Sequence, residues 1–306
     1  MFNLNGAAVK TKAAIKVLAG LSDEKINETL IGAANNLRAE KAALKAANAI
    51  DLKNAEIKGL SAAFIDRLTL TDNVIESVAA GIEEVAALDS PRGKVLYEYR
   101  NEKQAIDIKK IAVPFGVIGI IYESRPNVTA DAFALCFKTG NAVMLKGGSD
   151  AINSNMAIVK VIRDTLKSFG VDENAVTLVE DTSRNTAHEF MRLKGYIDLL
   201  IPRGGGGLID WALENATVPV IETGKGNCHV YVDEFADKDK AIKVVENAKT
   251  QRYGVCNACE SLLIHSSVLA DFLPDIAKTL DNKGVEIRCD EKSYGILRDK
   301  GITLLT

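Results

Sequence analysis

Several features that would assign this chain to a broad class are missing from its sequence. No run of about 18 apolar residues occurs, so no membrane span is expected. No long basic run occurs and the formal net charge is −3, which argues against nucleic acid or an anionic membrane surface as the main partner. The start of the chain alternates lysine with apolar residues, which predicts a helix and not a signal peptide.

Cysteine and histidine are also scarce, and neither has the spacing of a metal site. Five cysteines in 306 residues are an odd number, which suits reduced thiols in a cytoplasmic protein better than a disulfide framework. Cys256 and Cys259 form a C-x-x-C pair, but zinc needs a second pair, which Cys136, Cys228 and Cys289 do not provide. A redox C-x-x-C usually opens a helix, whereas a strand is predicted here. We therefore interpret Cys259 as a buried residue at a strand start.

The sequence before residue 114 predicts helices and one hairpin. Apolar residues at three- and four-residue steps predict two helices over 7–49, the second starting at Ser22, and another from Thr71, its N-cap, to Leu88. Two strands, 95–100 and 105–113, predict a hairpin with one apolar face. Such a hairpin often pairs with a neighbouring subunit, and an edge hairpin on its own domain is an equally good interpretation.

From Pro114 onward, strands alternate with helices. This order predicts an α/β fold with a doubly wound, mostly parallel, Rossmann-like sheet. A second α/β unit is predicted from about Thr223. The predicted strands are 115–122, 141–146, 175–179, 197–201 and 218–221 in the first unit, and 228–233, 261–265, 285–288 and 302–305 in the second. Ligands bind such sheets at the carboxyl ends of the strands, where the polar connections of this chain fall.

Residues 122–127, Tyr-Glu-Ser-Arg-Pro-Asn, follow the first buried strand. Asn127 is an amide donor near a helix start, and such a donor can stabilise an oxyanion by about 3 kcal/mol. Taken alone, Asn127 is better explained as a helix cap.

Two glycine-rich connections follow other strands of the same sheet. One is Lys146, Gly147, Gly148 and Ser149; the other is Arg203, Gly204, Gly205, Gly206 and Gly207. Glycines allow the backbone to approach a ligand closely, and free N–H groups at a helix start favour anions. Each connection singly is more often a turn. Two on adjacent strands favour a nucleotide site, although neither is a G-x-G-x-x-G or P-loop motif.

Glu222 and Cys256 are the candidate base and nucleophile. Glu222 ends a predicted strand, and a carboxylate near a cysteine can act as general base. A surface ion pair with Lys225 is the alternative. Cys256 lies on a connection between a helix and a strand, where its sulfur can meet a substrate, although a free cysteine is usually a small buried apolar residue.

The stretches 113–127, 201–209, 221–229 and 251–260 resemble the γ-glutamyl phosphate reductases of the aldehyde dehydrogenase superfamily. The resemblance covers the chain from Ala7 onward. It implies NADPH-dependent reduction of L-glutamyl 5-phosphate to L-glutamate 5-semialdehyde and phosphate in proline biosynthesis, with glutamate 5-kinase as functional partner. It also implies a homo-oligomer, with the hairpin 95–113 supplying the oligomerisation strands. The implied domains are NADP-binding (1–94 and 114–222) and catalytic (223–306).

The resemblance also assigns roles to residues. Cys256 matches the cysteine that attacks the acyl phosphate and forms a thioester, which hydride from the nicotinamide then reduces. Asn127 and the backbone N–H of Cys256 match the oxyanion site, and Glu222 matches the general base. The cofactor-binding residues implied are Lys146, Gly147, Gly148, Ser149, Arg203, Gly204, Gly205 and Gly206. Arg125 and Arg252 are assigned to the substrate from charge and neighbourhood alone.

Three departures from the family pattern affect this prediction. Tyr253 stands where proline is common, and Cys259, where an aliphatic residue is common, is a candidate oxidation partner of Cys256. Chains of this family continue well beyond Thr306, so we expect an incomplete catalytic domain and weak or no activity. A non-catalytic nucleotide-binding or assembly subunit is therefore the alternative function. A thiol–disulfide oxidoreductase using Cys256 and Cys259 is a third.

Overall fold

A computed structural model describes residues 2–222, 224, 226–253, 255–302 and 304–305. The chain divides into two compact units, Met1–Thr223 and Gly224–Thr306. The larger unit contains a four-stranded sheet and a separate hairpin, and the smaller contains two pairs of strands.

Helices occupy most of the chain before the first strand. Their bounds are α1 Leu4–Ala19, α2 Asp23–Ala39, α3 Lys41–Ile57, α4 Ala62–Leu68 and α5 Asp72–Ala87. Ser22 and Thr71 cap α2 and α5 by accepting hydrogen bonds from the backbone N–H groups of Lys25 and Val74, as predicted. The prediction of two helices over 7–49 is wrong. Glu40 ends α2 and begins α3, and no glycine or proline marks the boundary.

A hairpin follows, formed by β1 Val95–Asn101 and β2 Ile106–Ile111. Tyr99 lies opposite Ile108 on one face of the hairpin. The other face carries ion pairs between Glu98 and Lys109 at 2.9 Å and between Arg100 and Asp107 at 3.3 Å. The predicted alternation is confirmed, and the apolar side chains of the hairpin are exposed.

The sheet of the first unit is parallel, with strand order β5-β4-β3-β6. Its strands are β3 Val117–Tyr122, β4 Ala142–Lys146, β5 Val176–Leu178 and β6 Leu199–Arg203. The predicted strand 218–221 is reduced to a single bridge between Leu200 and Val220. The helices between and after these strands are α6 Pro126–Lys138, α7 Ile152–Ser168, α8 Arg184–Phe190 and α9 Gly206–Asn215. The predicted doubly wound sheet is confirmed. The prediction that the two glycine-rich connections follow adjacent strands is wrong, because β3 lies between β4 and β6.

Burial explains why this sheet is stable. Every residue of β3 and β4 is buried, as in parallel strands covered on both faces. Phe133 and Phe137 of α6 stack in the same core with ring centroids 5.2 Å apart. A buried polar contact joins α3 to the start of α7, where Asp51 accepts hydrogen bonds from the backbone and side chains of Asn153 and Ser154.

The second unit begins with a βαβ arrangement. Its elements are β7 His229–Val232, α10 Lys238–Thr250, β8 Ser261–Ile264, α11 Leu269–Asp281, β9 Ile287–Arg288, α12 Glu291–Leu297 and β10 Leu304–Leu305. Strands β7 and β8 are parallel, with His229 opposite Ser261. Phe272 and Ile276 of α11 pack in the core beside these strands. The last predicted strand, 302–305, includes Thr303, which lies outside the described residues.

Candidate active site

The strand order reverses between β3 and β6. The chain passes from β3 through β4 to β5 and then returns to β6 on the other side of β3. This reversal is the topological switch point at which doubly wound sheets bind ligands. Tyr122 ends β3 beside Arg203 at the end of β6, and the Glu123 N–H donates to the Arg203 carbonyl at 3.2 Å. The connections 123–127 and 203–207 therefore begin side by side.

A carboxylate already binds the glycine-rich connection after β6. An Oε1 oxygen of Glu123 accepts a hydrogen bond of 2.7 Å from the backbone N–H of Gly205, the N-cap of α9. A Cβ on Gly204 would lie 2.8 Å from the Glu123 side chain, so this glycine permits a close approach. The geometry fits the prediction that this helix start favours anions. The sequence motif contained Glu123, but its partner could be identified only from the sheet register.

Asn127 is the second residue of α6 and is not its cap. The helix begins at Pro126, and Arg125 occupies the N-cap position without a side-chain capping bond. The helix-cap explanation for Asn127 is therefore wrong. Its Nδ2 donates to Asp131 at 3.1 Å, which uses one of the two amide hydrogens. Burial raises the pKa of Asp131, and the bond from Asn127 partly opposes that rise.

Lys146 ends β4 as a buried residue that is only 4% exposed. Its Nζ donates to the Gly147 carbonyl at 3.3 Å. Burial lowers the pKa of Lys146, and the charge of Asp181 partly opposes that change. Asp181 follows β5, the neighbour of β4, and accepts bonds from the Ser183 N–H and the Thr186 hydroxyl at 2.8 and 2.9 Å. Asp181 does not belong to any of the motifs that predicted the site. The sequence feature that could have identified it is a carboxylate just beyond the end of a strand of the same sheet.

The glycine pair after Lys146 lies against buried polar groups. A Cβ on Gly147 would lie 2.5 Å from Asn155 Nδ2, and one on Gly148 would lie 2.7 Å from Ser124 Oγ. Asn155 is fully buried, and its Nδ2 has no hydrogen-bond partner among the described residues. Ser149 begins a short 3₁₀ turn. Side chains at 147 and 148 would overlap Asn155 and Ser124, so glycine is needed for the backbone to follow this path.

Glu222 is exposed on the connection that follows the bridge at Val220. The alternative pairing with Lys225 lies outside the described residues. Asn127 and Glu222 belong to the first unit and Cys256 to the second, so their meeting in one site remains a prediction.

Cys256 is exposed on the connection between α10 and β8. The connection is fixed at its end, because the Cys259 N–H donates to the Ala248 carbonyl at 2.9 Å. Cys259 is buried, as predicted. Arg252 precedes Cys256 as an exposed residue, and Gly254 lies outside the described residues.

Two features are absent from the described part of the chain. No three of its histidine, cysteine, aspartate and glutamate side chains are arranged to hold a metal ion. Within the same ranges, no helix combines the length and apolar character needed to cross a membrane.

The fold and the strand-end connections define a member of a dehydrogenase family. The sequence model of the aldehyde dehydrogenase family matches residues 7–294 of this chain. The chain belongs to the aldehyde dehydrogenase family.

Comparison with individual proteins narrows this assignment. The γ-glutamyl phosphate reductase of Listeria monocytogenes serovar 1/2a is 51% identical over 288 residues, which are 94% of this chain and 69% of the relative. That of Caldicellulosiruptor saccharolyticus is 49% identical over 302 residues, 99% of this chain and 72% of the relative. The crystal structure of the Thermotoga maritima γ-glutamyl phosphate reductase matches with a TM-score of 0.88 and 43% identity, covering 100% of this chain and 73% of that one. The predicted resemblance is confirmed.

Proposed function

We propose that this chain is a cytoplasmic NADPH-dependent reductase that converts L-glutamyl 5-phosphate to L-glutamate 5-semialdehyde and phosphate in proline biosynthesis. The observation that carries the proposal is the identity of about half of all residues, along nearly the whole chain, with enzymes named γ-glutamyl phosphate reductase. The exposed Cys256, on a connection fixed at its end, supports the same chemistry.

The nucleophile in this proposal is the Cys256 thiolate. It attacks the acyl carbon of the substrate, the C–S bond forms, and the C–O bond to phosphate breaks, which leaves a thioester on the sulfur. Negative charge develops on the acyl oxygen during the attack. The Asn127 amide and the backbone N–H of Cys256 are the proposed donors to that oxygen.

Glu222 is the proposed base that accepts the Cys256 thiol proton. Its exposure, on an irregular connection, suits a group that exchanges protons with solvent. Arg125 and Arg252 are the proposed contacts for the substrate carboxylate, since an arginine fork matches carboxylate geometry. Arg125 stands at the start of α6, two residues before Asn127, so it is placed beside the proposed oxyanion donor.

The strand-end connections fit a nicotinamide dinucleotide phosphate. Lys146, with Gly147, Gly148 and Ser149, is proposed to bind the ribose and phosphate of the adenosine half. Arg203 and the glycines 204–206 are proposed to contact the diphosphate, and the bond that Gly205 makes to the Glu123 carboxylate supports anion binding there. When bound, the cofactor supplies the hydride that reduces the thioester. A positive Lys146 side chain beside the adenosine ribose favours NADPH over NADH.

The direct test is the reverse reaction, followed as absorbance of NADPH formed from glutamate semialdehyde, phosphate and NADP. We expect turnover that is weaker than that of the longer relatives, in line with the predicted incomplete catalytic domain. It should require phosphate, be abolished by Cys256→Ser and fall about a hundredfold in Asn127→Ala. Cys259→Ala serves as the matched control and should retain activity. Binding of NADPH without any turnover would contradict the proposal and favour the non-catalytic nucleotide-binding alternative.

We also propose that the hairpin 95–113 joins copies of this chain into a homo-oligomer. Its exposed apolar face, which includes Tyr99 and Ile108, supports pairing with an identical hairpin. Ile108→Lys should lower the mass measured by analytical ultracentrifugation, whereas Lys109→Gln on the charged face should leave it unchanged. Glutamate 5-kinase is the proposed functional partner because it supplies the acyl phosphate substrate.

A further inference from the structure

A second cysteine lies against the connection that carries Cys256. Cys228 immediately precedes β7, and its Sγ donates a hydrogen bond of 3.3 Å to the backbone carbonyl of Cys256. The Cys228 carbonyl in turn accepts from the N–H groups of Glu260 and Ser261, at 2.9 and 3.1 Å. The parallel register of β7 and β8 therefore holds Cys228 beside the connection, although 28 residues separate it from Cys256.

Cys259 is closer in sequence but its thiol is directed elsewhere. It is 6% exposed, and its Sγ donates to the Ser261 carbonyl at 3.3 Å. Cys259 also lines a cavity of about 610 Å³ whose wall includes Arg288 and Cys289, and neither Cys228 nor Cys256 lines this cavity. The Cys259 sulfur therefore contacts groups other than Cys256. This argues against a disulfide between the two cysteines of the C-x-x-C pair.

The contact with the Cys256 carbonyl sets an upper limit on the distance between the sulfur atoms of Cys228 and Cys256. The carbonyl oxygen and Sγ of one cysteine are at most about 5 Å apart, so the 3.3 Å contact places the two sulfurs within about 8 Å. Rotation about each Cα–Cβ bond moves a sulfur by about 3 Å, and a disulfide needs an S–S distance of about 2 Å. Cys256 is exposed on an irregular connection and Cys228 is partly exposed, so no helix or strand has to unfold.

We propose that Cys256 and Cys228 are a site of reversible disulfide formation by hydroperoxides. The Cys256 thiolate attacks hydrogen peroxide, an S–O bond forms, the O–O bond breaks, and hydroxide leaves, which gives a sulfenic acid. The Cys228 thiolate then attacks that sulfur, the S–S bond forms, and the sulfenic oxygen leaves as water after protonation. Cys256 and Cys228 are oxidised by two electrons, and the peroxide is reduced. A dithiol reductant reverses the change.

The disulfide would act on the proposed nucleophile in two ways. It removes the Cys256 thiolate and so stops the proposed reaction, and it prevents oxidation to sulfinic acid, which reductants do not reverse. Formation of the disulfide rests on the contact between the two residues and does not require that the chain be a reductase.

The experiment uses peptide mass spectrometry on the complete chain after treatment with hydrogen peroxide. Trypsin cleavage after Lys225, Lys238, Arg252 and Lys278 places Cys228 in peptide 226–238 and both Cys256 and Cys259 in peptide 253–278. A Cys228–Cys256 disulfide joins these two peptides with loss of two hydrogens, whereas a Cys256–Cys259 disulfide stays within one peptide. The Cys259→Ala variant identifies Cys256 as the linked residue.

We expect the joined peptides in the wild-type chain and in Cys259→Ala, and their disappearance after dithiothreitol. In Cys228→Ser, which keeps a donor to the Cys256 carbonyl, we expect Cys256 to gain two oxygens and to stay blocked to iodoacetamide after dithiothreitol. A disulfide internal to 253–278, or irreversible oxidation of Cys256 in the wild-type chain, would overturn the proposal. The mapping needs no enzymatic activity, so its failure is separate from failure of the proposed function, which the Cys256→Ser assay decides.

Discussion

Replacement of Gly147 by alanine tests whether the connection after β4 is as tightly packed as the structure describes. The new Cβ would lie 2.5 Å from Asn155 Nδ2 and 3.1 Å from the Tyr122 ring. Ordinary contacts begin near 3.4 Å, so the overlap with Asn155 is about 0.9 Å. Asn155 cannot easily retreat, because its Oδ1 accepts from Thr129 at 2.9 Å and Thr129 also bonds the Tyr122 hydroxyl at 2.7 Å.

Overpacking of a buried site by one methyl group typically costs about 2 kcal/mol. For a unit of this size, we expect the melting temperature to fall by about 5 °C. The assays are urea unfolding and thermal unfolding, both followed by the fluorescence of Trp211, the one tryptophan of the chain, which packs against the core of the first unit. Weaker NADPH binding should accompany the loss, because the same connection is proposed to bind the adenosine half.

Gly207→Ala is the matched control. Gly207 lies in the first turn of α9, and a Cβ there would meet nothing within 4 Å. Alanine should therefore stabilise the helix slightly, by about 0.5 kcal/mol. Equal stability of Gly147→Ala and the wild-type chain, or equal destabilisation by both alanine substitutions, would refute the packing described around Gly147.

Three further predictions concern buried polar groups of the first unit. Asp51→Ala should lower the free energy of unfolding by about 3 kcal/mol in urea titrations, because the Ser154 hydroxyl and its neighbours would be left as buried donors without an acceptor. Burial lowers the pKa of Lys146 below its ordinary 10.5, so between the two values the unfolded chain binds more protons and stability rises with pH. The cost of burying the positive charge of Lys146 is fully present below the lowered pKa. Lys146→Met should therefore show a smaller rise in unfolding free energy between the lowered pKa and 10.5. Equal slopes of unfolding free energy against pH in the variant and the wild-type chain would contradict this reasoning. Burial raises the pKa of Cys136 to about 12, so iodoacetamide at pH 8 should alkylate it only after unfolding, and early labelling in mass spectra would show that the thiol is accessible.

Local sequence patterns predict most of the elements because the relevant forces act between neighbours in the chain. The capping side chains of Ser22 and Thr71 bond N–H groups three residues away, and both predicted helix starts are confirmed. The boundary at Glu40 is not predicted, because no local signal marks it. It contains no residue that stops a helix, and packing of α2 and α3 against α7 decides where the chain turns.

The positions of the strand-end connections are also predictable, because parallel strands end at a common edge. That rule identifies Lys146 and Arg203 from one sequence without any knowledge of register. It does not identify the contact between Glu123 and Gly205, which depends on β3 pairing with β6 and not with β5. Strand order is set by the burial of the whole sheet, and a window of a few residues does not contain it.

The same limit explains why the C-x-x-C spacing misleads and Cys228 is overlooked. Spacing in the chain places Cys259 three residues from Cys256, but the backbone between them turns and the Cys259 sulfur is directed to the Ser261 carbonyl. The register that places His229 opposite Ser261 instead brings Cys228 to the Cys256 carbonyl. A short local motif therefore names a candidate residue, while pairing between distant strands determines which group that residue meets. The proposed nucleophile Cys256 is predicted from the sequence, whereas the cysteine that lies beside it is identified only from the fold.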